Sequence, residues 1–229
     1  LISTLVKEER VKEAARLMEE MLQRGQNPYR SVLSVLLRRL ATMGDVEALS
    51  ALATFLPVEL QRQHSVSNLL CNAYVNSGRT GDILAQLEDN MPSWKERFPL
   101  GGVLGMLGKC PELEDRVHSL AKKYAAEEQC LVPMNAVWMH KMLGGHFEEA
   151  DKILKDYPGM QDRLMFLSVL KHSRTADNEA LARHLAQTVG QSTGATLNAK
   201  ALAYGNLVEF LVARGRSEEA LQILEKTQA

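Results

Sequence analysis

Histidine and cysteine side chains are the first candidates for metal or nucleophilic chemistry in this chain of 229 residues. His140 and His146 are six residues apart across a Gly-Gly turn, and no third ligand stands at metal-binding spacing from them. Cys71, Cys110 and Cys130 are widely spaced and form no Cys-x-x-Cys pair. This pattern predicts buried or partly buried thiols in a reducing compartment, with no disulfide framework, metal site or cofactor.

The carboxylates and glycines of the sequence do not indicate a catalytic site either. A nuclease needs several carboxylates that converge on a divalent metal, whereas the acidic residues here are spread along the chain at recurring positions. The glycine-rich stretch PLGGVLGMLGK (residues 99–109) lacks the GxxxxGK[ST] pattern of a phosphate-binding loop. We therefore expect a closely packed helix in that stretch and a protein that is not an enzyme.

The elements that position the side chains follow from a recurring pattern. Each copy has a helix-breaking residue, two or three polar residues and then an apolar run containing Ala or Leu. The copies begin at Glu8, Gly44, Gly78, Gly108, Gly145, Ala176 and Gly215. They lie about 30 to 39 residues apart, with a mean of about 34, and a period of this length is typical of stacked helical hairpins.

Each copy divides into two helices around its breaker. The apolar residues of SVLSVLLRRLATM (residues 31–43) fall on one helical stripe, which predicts one buried face. Glycines stand where the chain leaves the first helix and needs a left-handed residue, namely Gly44, Gly78, Gly145 and Gly215. Prolines are expected in the longer connections, namely Pro28, Pro57, Pro92, Pro133 and Pro158. The pattern predicts an all-α fold.

Two segments carry a family resemblance. LISTLVKEERVKEAARLMEEMLQRGQNP (residues 1–28) closes with Gly25 and Pro28, and AYGNLVEFLVARGRSEEALQILEKT (residues 203–227) has a matching apolar pattern. Both resemble the pentatricopeptide repeat. The tetratricopeptide repeat has nearly the same period, but Trp94 and Trp138 do not recur at that period. The resemblance covers nearly the whole chain and implies a right-handed α-solenoid of stacked helix-turn-helix repeats.

The resemblance implies one such solenoid over residues 1–229, with about six and a half repeats. The approximate units are 1–29, 30–64, 65–94, 95–131, 132–162, 163–201 and 202–229. The opening LISTLVKEER is typical of the middle of a helix without an N-cap, so we expect a longer protein with any targeting sequence upstream. No stretch approaches the roughly 18 to 20 apolar residues of a membrane span.

Irregular spacings and Leu-rich helices resemble the animal mitochondrial members of this family. That resemblance implies a modular scaffold that binds single-stranded RNA in the mitochondrial matrix. Its implied role is to support the stability, polyadenylation or translation of messenger RNA. It also implies a protein partner, such as a small RNA-recognition-motif protein.

In the family, one residue early in each first helix faces one unstacked base. Carried onto this sequence, that residue is Ser34, Asn68, Phe98, Asn135, Phe166 or Gly205, and Asn206 takes the last place if the register slips by one. Hydroxyl and amide groups can donate to and accept from a base edge, so the RNA-binding candidates are Ser34, Asn68, Asn135 and Asn206. The alternative for each is a solvated or helix-capping role. Residues such as Tyr29 and His64 take the second contact position.

The charge of the chain gives a competing hypothesis. A formal net charge of −1 at pH 7 does not provide the positive field of a strong stand-alone nucleic-acid binder. Arg38, one turn after Ser34, is the best candidate for a phosphate contact, and Arg39, Lys141 and Lys171 are weaker ones. The competing hypothesis is a protein-interaction scaffold with little RNA binding. An apolar stripe on the concave face, in place of a basic one, would favour it.

Overall fold

A computed structural model describes residues 1–63, 65–157, 160, 163–191 and 197–228. Within these ranges the regular structure is 16 α-helices and two short 3-10 turns, Lys95–Arg97 and Pro111–Leu113, with no strand. The all-α fold class is therefore confirmed. The chain divides into two compact units, Leu1–Pro133 and Met134–Ala229.

Ten helices belong to the first unit. They are α1 (Ile2–Lys7), α2 (Val11–Gln23), α3 (Arg30–Met43), α4 (Val46–Phe55), α5 (Val58–Gln63), α6 (Val66–Asn76), α7 (Thr80–Asp89), α8 (Met91–Trp94), α9 (Leu100–Lys109) and α10 (Glu114–Glu127). Helix α3 packs against α1, α2, α4 and α6, and α6 packs in turn against α4, α5, α7 and α9. Helices α3, α6 and α9 are therefore successive neighbours.

The remaining helices form the second unit, apart from the first two residues of α11. They are α11 (Val132–Leu143), α12 (Phe147–Asp156), α13 (Arg163–Thr175), α14 (Glu179–Gln191), α15 (Leu197–Ala213) and α16 (Ser217–Gln228). Helix α15 packs against α13, α14 and α16. It begins at Leu197, so the repeat boundary expected between residues 201 and 202 lies inside this helix.

None of the described helices is both long enough and apolar enough to cross a membrane.

The core of the first unit follows the apolar stripe of α3. Leu33, Leu36, Leu37 and Leu40 are each at most 1% exposed, as the helical spacing predicted. Small residues allow neighbouring helices to approach closely, and Ala14 on α2 has no exposed surface. The same is true of Ala150 on α12 in the second unit.

Left-handed residues end the first helix of most pairs. Gly44 follows α3 with φ +72°, and its N–H donates to the carbonyl of Ala41 at 3.2 Å. The next N–H, that of Asp45, donates to the carbonyl of Leu40 at 3.0 Å. These two bonds define a Schellman turn, which satisfies carbonyls that the helix leaves without partners. The predicted left-handed conformation is confirmed at Gly44, Gly78, Gly145 and Gly215.

Two copies achieve this turn without glycine. Glu9 after α1 has φ 61° and Asp177 after α13 has φ 53°. The N–H of the following residue bonds to the helix as in the glycine copies: Arg10 to the carbonyl of Leu5 at 2.9 Å, and Asn178 to that of Ser173 at 2.9 Å. Aspartate tolerates the left-handed region better than most residues, which explains Asp177.

The copy at Gly108 departs from the pattern. Cys110 ends α9, and its N–H donates to the carbonyl of Met106 at 2.8 Å, after which the 3-10 turn Pro111–Leu113 begins. Two prolines also differ from expectation, because Pro92 and Pro133 lie in the first turns of α8 and α11 and not in connections. A first turn accepts proline since its N–H groups have no helical partner.

Four charged side chains form a network of ion pairs between α14 and the start of α16, namely Glu179, Arg183, Arg216 and Glu219. The Arg183 guanidinium lies 2.7 Å from Glu179 and 2.6 Å from Glu219. Arg216 also pairs with both carboxylates, at 2.7 Å from Glu179. Hydrogen bonds from Arg183 hold the pKa of both carboxyl groups below the ordinary value. The two helices are thus joined by alternating charges.

Acid is expected to weaken this connection. Because the carboxyl pKa values are lower in the folded state, the stabilisation is present above the unfolded pKa and is lost as the pH falls through the folded pKa. We expect the double substitution Glu179→Gln and Glu219→Gln to lower the melting temperature more at pH 7 than at pH 3. Circular dichroism melts at both pH values measure this. An equal loss at both pH values would contradict the assignment.

Candidate nucleic-acid interface

The start of α3 and the end of α5 border a groove of about 680 Å3. Its lining consists of Tyr29, Arg30, Ser31, Ser34 and Gln63, and we call it the Tyr29 groove. Tyr29 is 86% exposed and stands in extended conformation immediately before α3. The Arg30 guanidinium donates to the Gln63 side-chain oxygen at 3.0 Å, which connects the two sides of the groove.

The periodicity of α3 explains this arrangement. Leu33, Leu36 and Leu37 face the core, so Ser31 and Ser34 fall toward the other side of the helix. The groove therefore combines an exposed aromatic ring, a guanidinium and a hydroxyl. An exposed ring can stack on a base, a guanidinium can pair with a phosphate, and a hydroxyl can donate and accept.

Arg38 extends this face along α3. It lies one turn beyond Ser34 and is exposed, and its carbonyl accepts a hydrogen bond from the Thr42 hydroxyl at 2.9 Å. Within the described part of the chain, the Arg38 guanidinium has no ion-pair partner. Arg39 and Lys171 are also exposed. Lys141 is buried and pairs with Glu149 at 2.6 Å, so its charge is already satisfied.

Asn68 has a structural task that its sequence position did not reveal. Its side-chain oxygen accepts a hydrogen bond from the backbone N–H of Gly102 at 2.8 Å. Gly102 lies in the first turn of α9, where N–H groups have no partner within the helix. Asn68 on α6 thus caps α9, which is the first helix of the following pair. Its amide nitrogen is the group that remains for a ligand.

Two of the predicted candidates are buried. Asn206 is 2% exposed and donates to the Ser173 hydroxyl at 3.1 Å, which itself donates to the Leu170 carbonyl at 2.7 Å. Asn135 is 6% exposed, and its side-chain oxygen has no hydrogen-bond partner among the described residues. Neither residue presents surface to a base, so we leave both out of the proposed interface.

The remaining family positions add no polar contact. Phe98 is 7% exposed and meets Tyr124 edge to face, with ring centroids 5.4 Å apart. Gly205 is half-buried in α15. The Phe166 side chain and His64 lie outside the described residues.

Other chemistry-bearing clusters are structural. His184 Nε2 lies 2.9 Å from Asp151 and 3.2 Å from the Thr188 hydroxyl, and the ring stacks on Phe147 at 4.4 Å. A catalytic triad uses the two ring nitrogens for different partners, whereas here one nitrogen faces both. Burial raises the pKa of the Cys71 thiol to about 12, which keeps it protonated at neutral pH.

The possible metal ligands and the cysteines show no site geometry among the described residues. In the residues searched, no group of three or more His, Cys, Asp or Glu side chains could hold a metal ion. Cys71 and Cys130 are buried and Cys110 is half-buried, all as free thiols, which confirms the predicted burial.

Sequence reasoning named Tyr29 as a second contact position but missed the neighbouring Arg30 and the pair of Trp94 and Arg97. The signals were present: NPYRS places an aromatic and a basic residue directly before and at the start of α3. Likewise, PSWKER places Trp94 and Arg97 three residues apart, and the Arg97 guanidinium lies 4.8 Å from the Trp94 ring centroid.

Comparison of the sequence with models of protein families and with curated proteins finds no match.

Proposed function

We propose that this chain is a pentatricopeptide-type right-handed α-solenoid that binds single-stranded RNA along the starts of its first helices. The Tyr29 groove is the observation that carries the proposal, because it holds an exposed aromatic ring beside a guanidinium. Bases stack on such rings irrespective of sequence, and guanidinium groups pair with the phosphates between them. Arg38 then lies where the strand continues along α3.

The biological setting rests on the resemblance described above. We propose a protein of the mitochondrial matrix that binds messenger RNA and supports its stability, polyadenylation or translation. A small RNA-recognition-motif protein is the partner that this role calls for. The Tyr29 groove supports the RNA-binding part of this proposal, and Ser34 supplies its polar contact to bases.

Tyr29→Ala tests stacking directly. Because the ring is 86% exposed, its removal leaves the core intact, and we expect RNA affinity to fall about tenfold. Arg30→Ala and Arg38→Ala should each weaken binding to all RNA sequences and reduce the salt slope by about one. The measurement is fluorescence anisotropy with labelled 12-nucleotide RNA, of mixed and A/U-rich sequence, across a salt series.

Arg16→Ala on α2 is the matched control, because Arg16 is an exposed arginine outside the groove. It should leave RNA affinity within twofold of the unmodified protein. If Tyr29→Ala, Arg30→Ala and Arg38→Ala bind RNA as tightly as the control, the Tyr29 groove is not the interface.

The alternative is a protein-interaction scaffold with little RNA binding of its own. Exposed apolar side chains favour it, since Val35 on α3 is 49% exposed and Val58 on α5 is 56% exposed. Absence of RNA binding at low salt, in a protein shown to be helical, would support this alternative.

A further inference from the structure

A second groove in the first unit is formed by two helices of the regular pairs together with the short segments that connect them. Its volume is about 840 Å3, and its walls are the end of α4, helix α5, the start of α6 and the α8 to 3-10 segment. Val58, Leu70 and Trp94 supply apolar lining. Val58 is 56% exposed, so this apolar surface is open to a ligand. We call this site the Trp94 groove.

The charge of this groove is positive. Among its lining residues, Arg62, Lys95 and Arg97 oppose one carboxylate, Glu96, in a chain whose net charge is −1. Arg62 pairs with Glu96 at 3.2 Å. Lys95 lies 3.8 Å from Glu128, outside the groove lining.

Arg97 is the cation best prepared for a ligand. Its guanidinium stacks on Trp94 and donates to the Ser93 carbonyl at 3.1 Å and to the Ser93 hydroxyl at 3.0 Å. These contacts fix the side chain, and it has no carboxylate partner within the described ranges. A guanidinium held in place loses less conformational freedom when it binds an anion.

The aromatic rings distinguish this groove from an RNA path. Trp94 is 8% exposed beneath Arg97, and Phe98 is 7% exposed with its edge against Tyr124. Neither ring has a free face on which a base could stack, in contrast to Tyr29. The groove instead offers an apolar surface beside a fixed positive charge.

We propose that the Trp94 groove docks a short segment of a partner protein in which apolar side chains alternate with acidic ones. An apolar side chain packs against Val58 and Leu70, and the flanking carboxylates pair with Arg97 and Lys95. Arginine binds carboxylates through two parallel hydrogen bonds, which sets the orientation of the segment. This site is separate from the Tyr29 groove.

The probe is a fluorescein-labelled decapeptide in which leucine and phenylalanine alternate with aspartate and glutamate. We expect saturable binding by anisotropy, and no binding when lysine replaces the acidic residues of the peptide. Val58→Asp places a carboxylate on an exposed position of the groove and should weaken binding at least tenfold. Arg97→Ala should weaken it about fivefold to tenfold.

Two control variants match these changes. Leu221→Asp changes an apolar residue of similar exposure, 58%, on α16, and Lys122→Ala removes an exposed charge on α10. Both should bind the peptide as the unmodified protein does. Equal binding by Val58→Asp, or equal binding of the lysine peptide, overturns the proposal. So does displacement of the peptide by 12-nucleotide RNA, which would assign the groove to nucleic acid.

Discussion

Replacing Gly102 with alanine is expected to destabilise the first unit by about 2 kcal/mol, although alanine favours helix. Helices α6 and α9 meet at this residue. An added Cβ would lie 2.6 Å from the Cys71 Cβ and 3.0 Å from the Asn68 carbonyl oxygen, closer than atoms in contact allow. The helices must separate, which also weakens the hydrogen bond between the Gly102 N–H and Asn68.

Gly105→Ala is the matched control on the same helix. Gly105 is exposed, and the nearest atom to its added Cβ is the Asn72 side-chain oxygen at an ordinary 3.7 Å. This variant should gain up to about 1 kcal/mol from helix propensity. Urea denaturation followed by circular dichroism compares the two. A Gly102→Ala protein as stable as Gly105→Ala would show that α6 and α9 do not meet this closely.

The turn after α3 is the second position where one methyl group has a large effect. Gly44 has φ +72°, and its added Cβ would lie 2.9 Å from the backbone nitrogen of Ser77 at the end of α6. Left-handed strain contributes about 1 kcal/mol and the backbone overlap about 1 to 3 kcal/mol more. We expect Gly44→Ala to lower the free energy of unfolding by about 3 kcal/mol in the same denaturation experiment.

The substitution Gly78→Ala measures the cost of left-handed backbone strain without a steric overlap. Gly78 has φ +75°, almost the same conformation, but nothing lies within 4 Å of its added Cβ. This variant should lose only the strain contribution, about 1 kcal/mol. If both variants lose the same amount, the backbone at Gly44 does not lie this close to Ser77.

The helix pairs could be predicted because the sequence shows both the repeat period and the glycines at the turns between helices. Gly44 and Gly78 marked their turns correctly, since few other residues adopt a left-handed conformation without strain. Glu9 and Asp177 adopt the same conformation, which residue type alone did not indicate. There the hydrogen bonds of the turn and the packing of its helices decide the backbone.

Helices α5 and α8 were not predicted. They are six and four residues long, too short to show a helical period, and each begins at or beside a proline that suggested a connection. The Trp94 groove depends on both segments, so it could not be foreseen either. Tertiary packing, which local sequence does not report, produces this site.

The candidate site residues differ in how far the structure buries them. Ser34, Asn68, Asn135 and Asn206 look alike in the sequence as polar residues on helices. The structure leaves Ser34 on a groove, engages Asn68 in capping α9, and buries Asn135 and Asn206. A helical period predicts which face a residue takes, but not which neighbouring helix covers that face.

The spacing of the polar contacts has a consequence for how the chain folds. Side-chain hydrogen bonds that join one described helix pair to the next connect residues 32 to 37 positions apart, as between Arg79 and Glu47 or between Arg216 and Glu179. Contacts at this separation require only short loops to close, and loop closure governs folding rates. Within each unit, structure can therefore spread outward from whichever neighbouring pairs meet first, without waiting for distant segments to find each other.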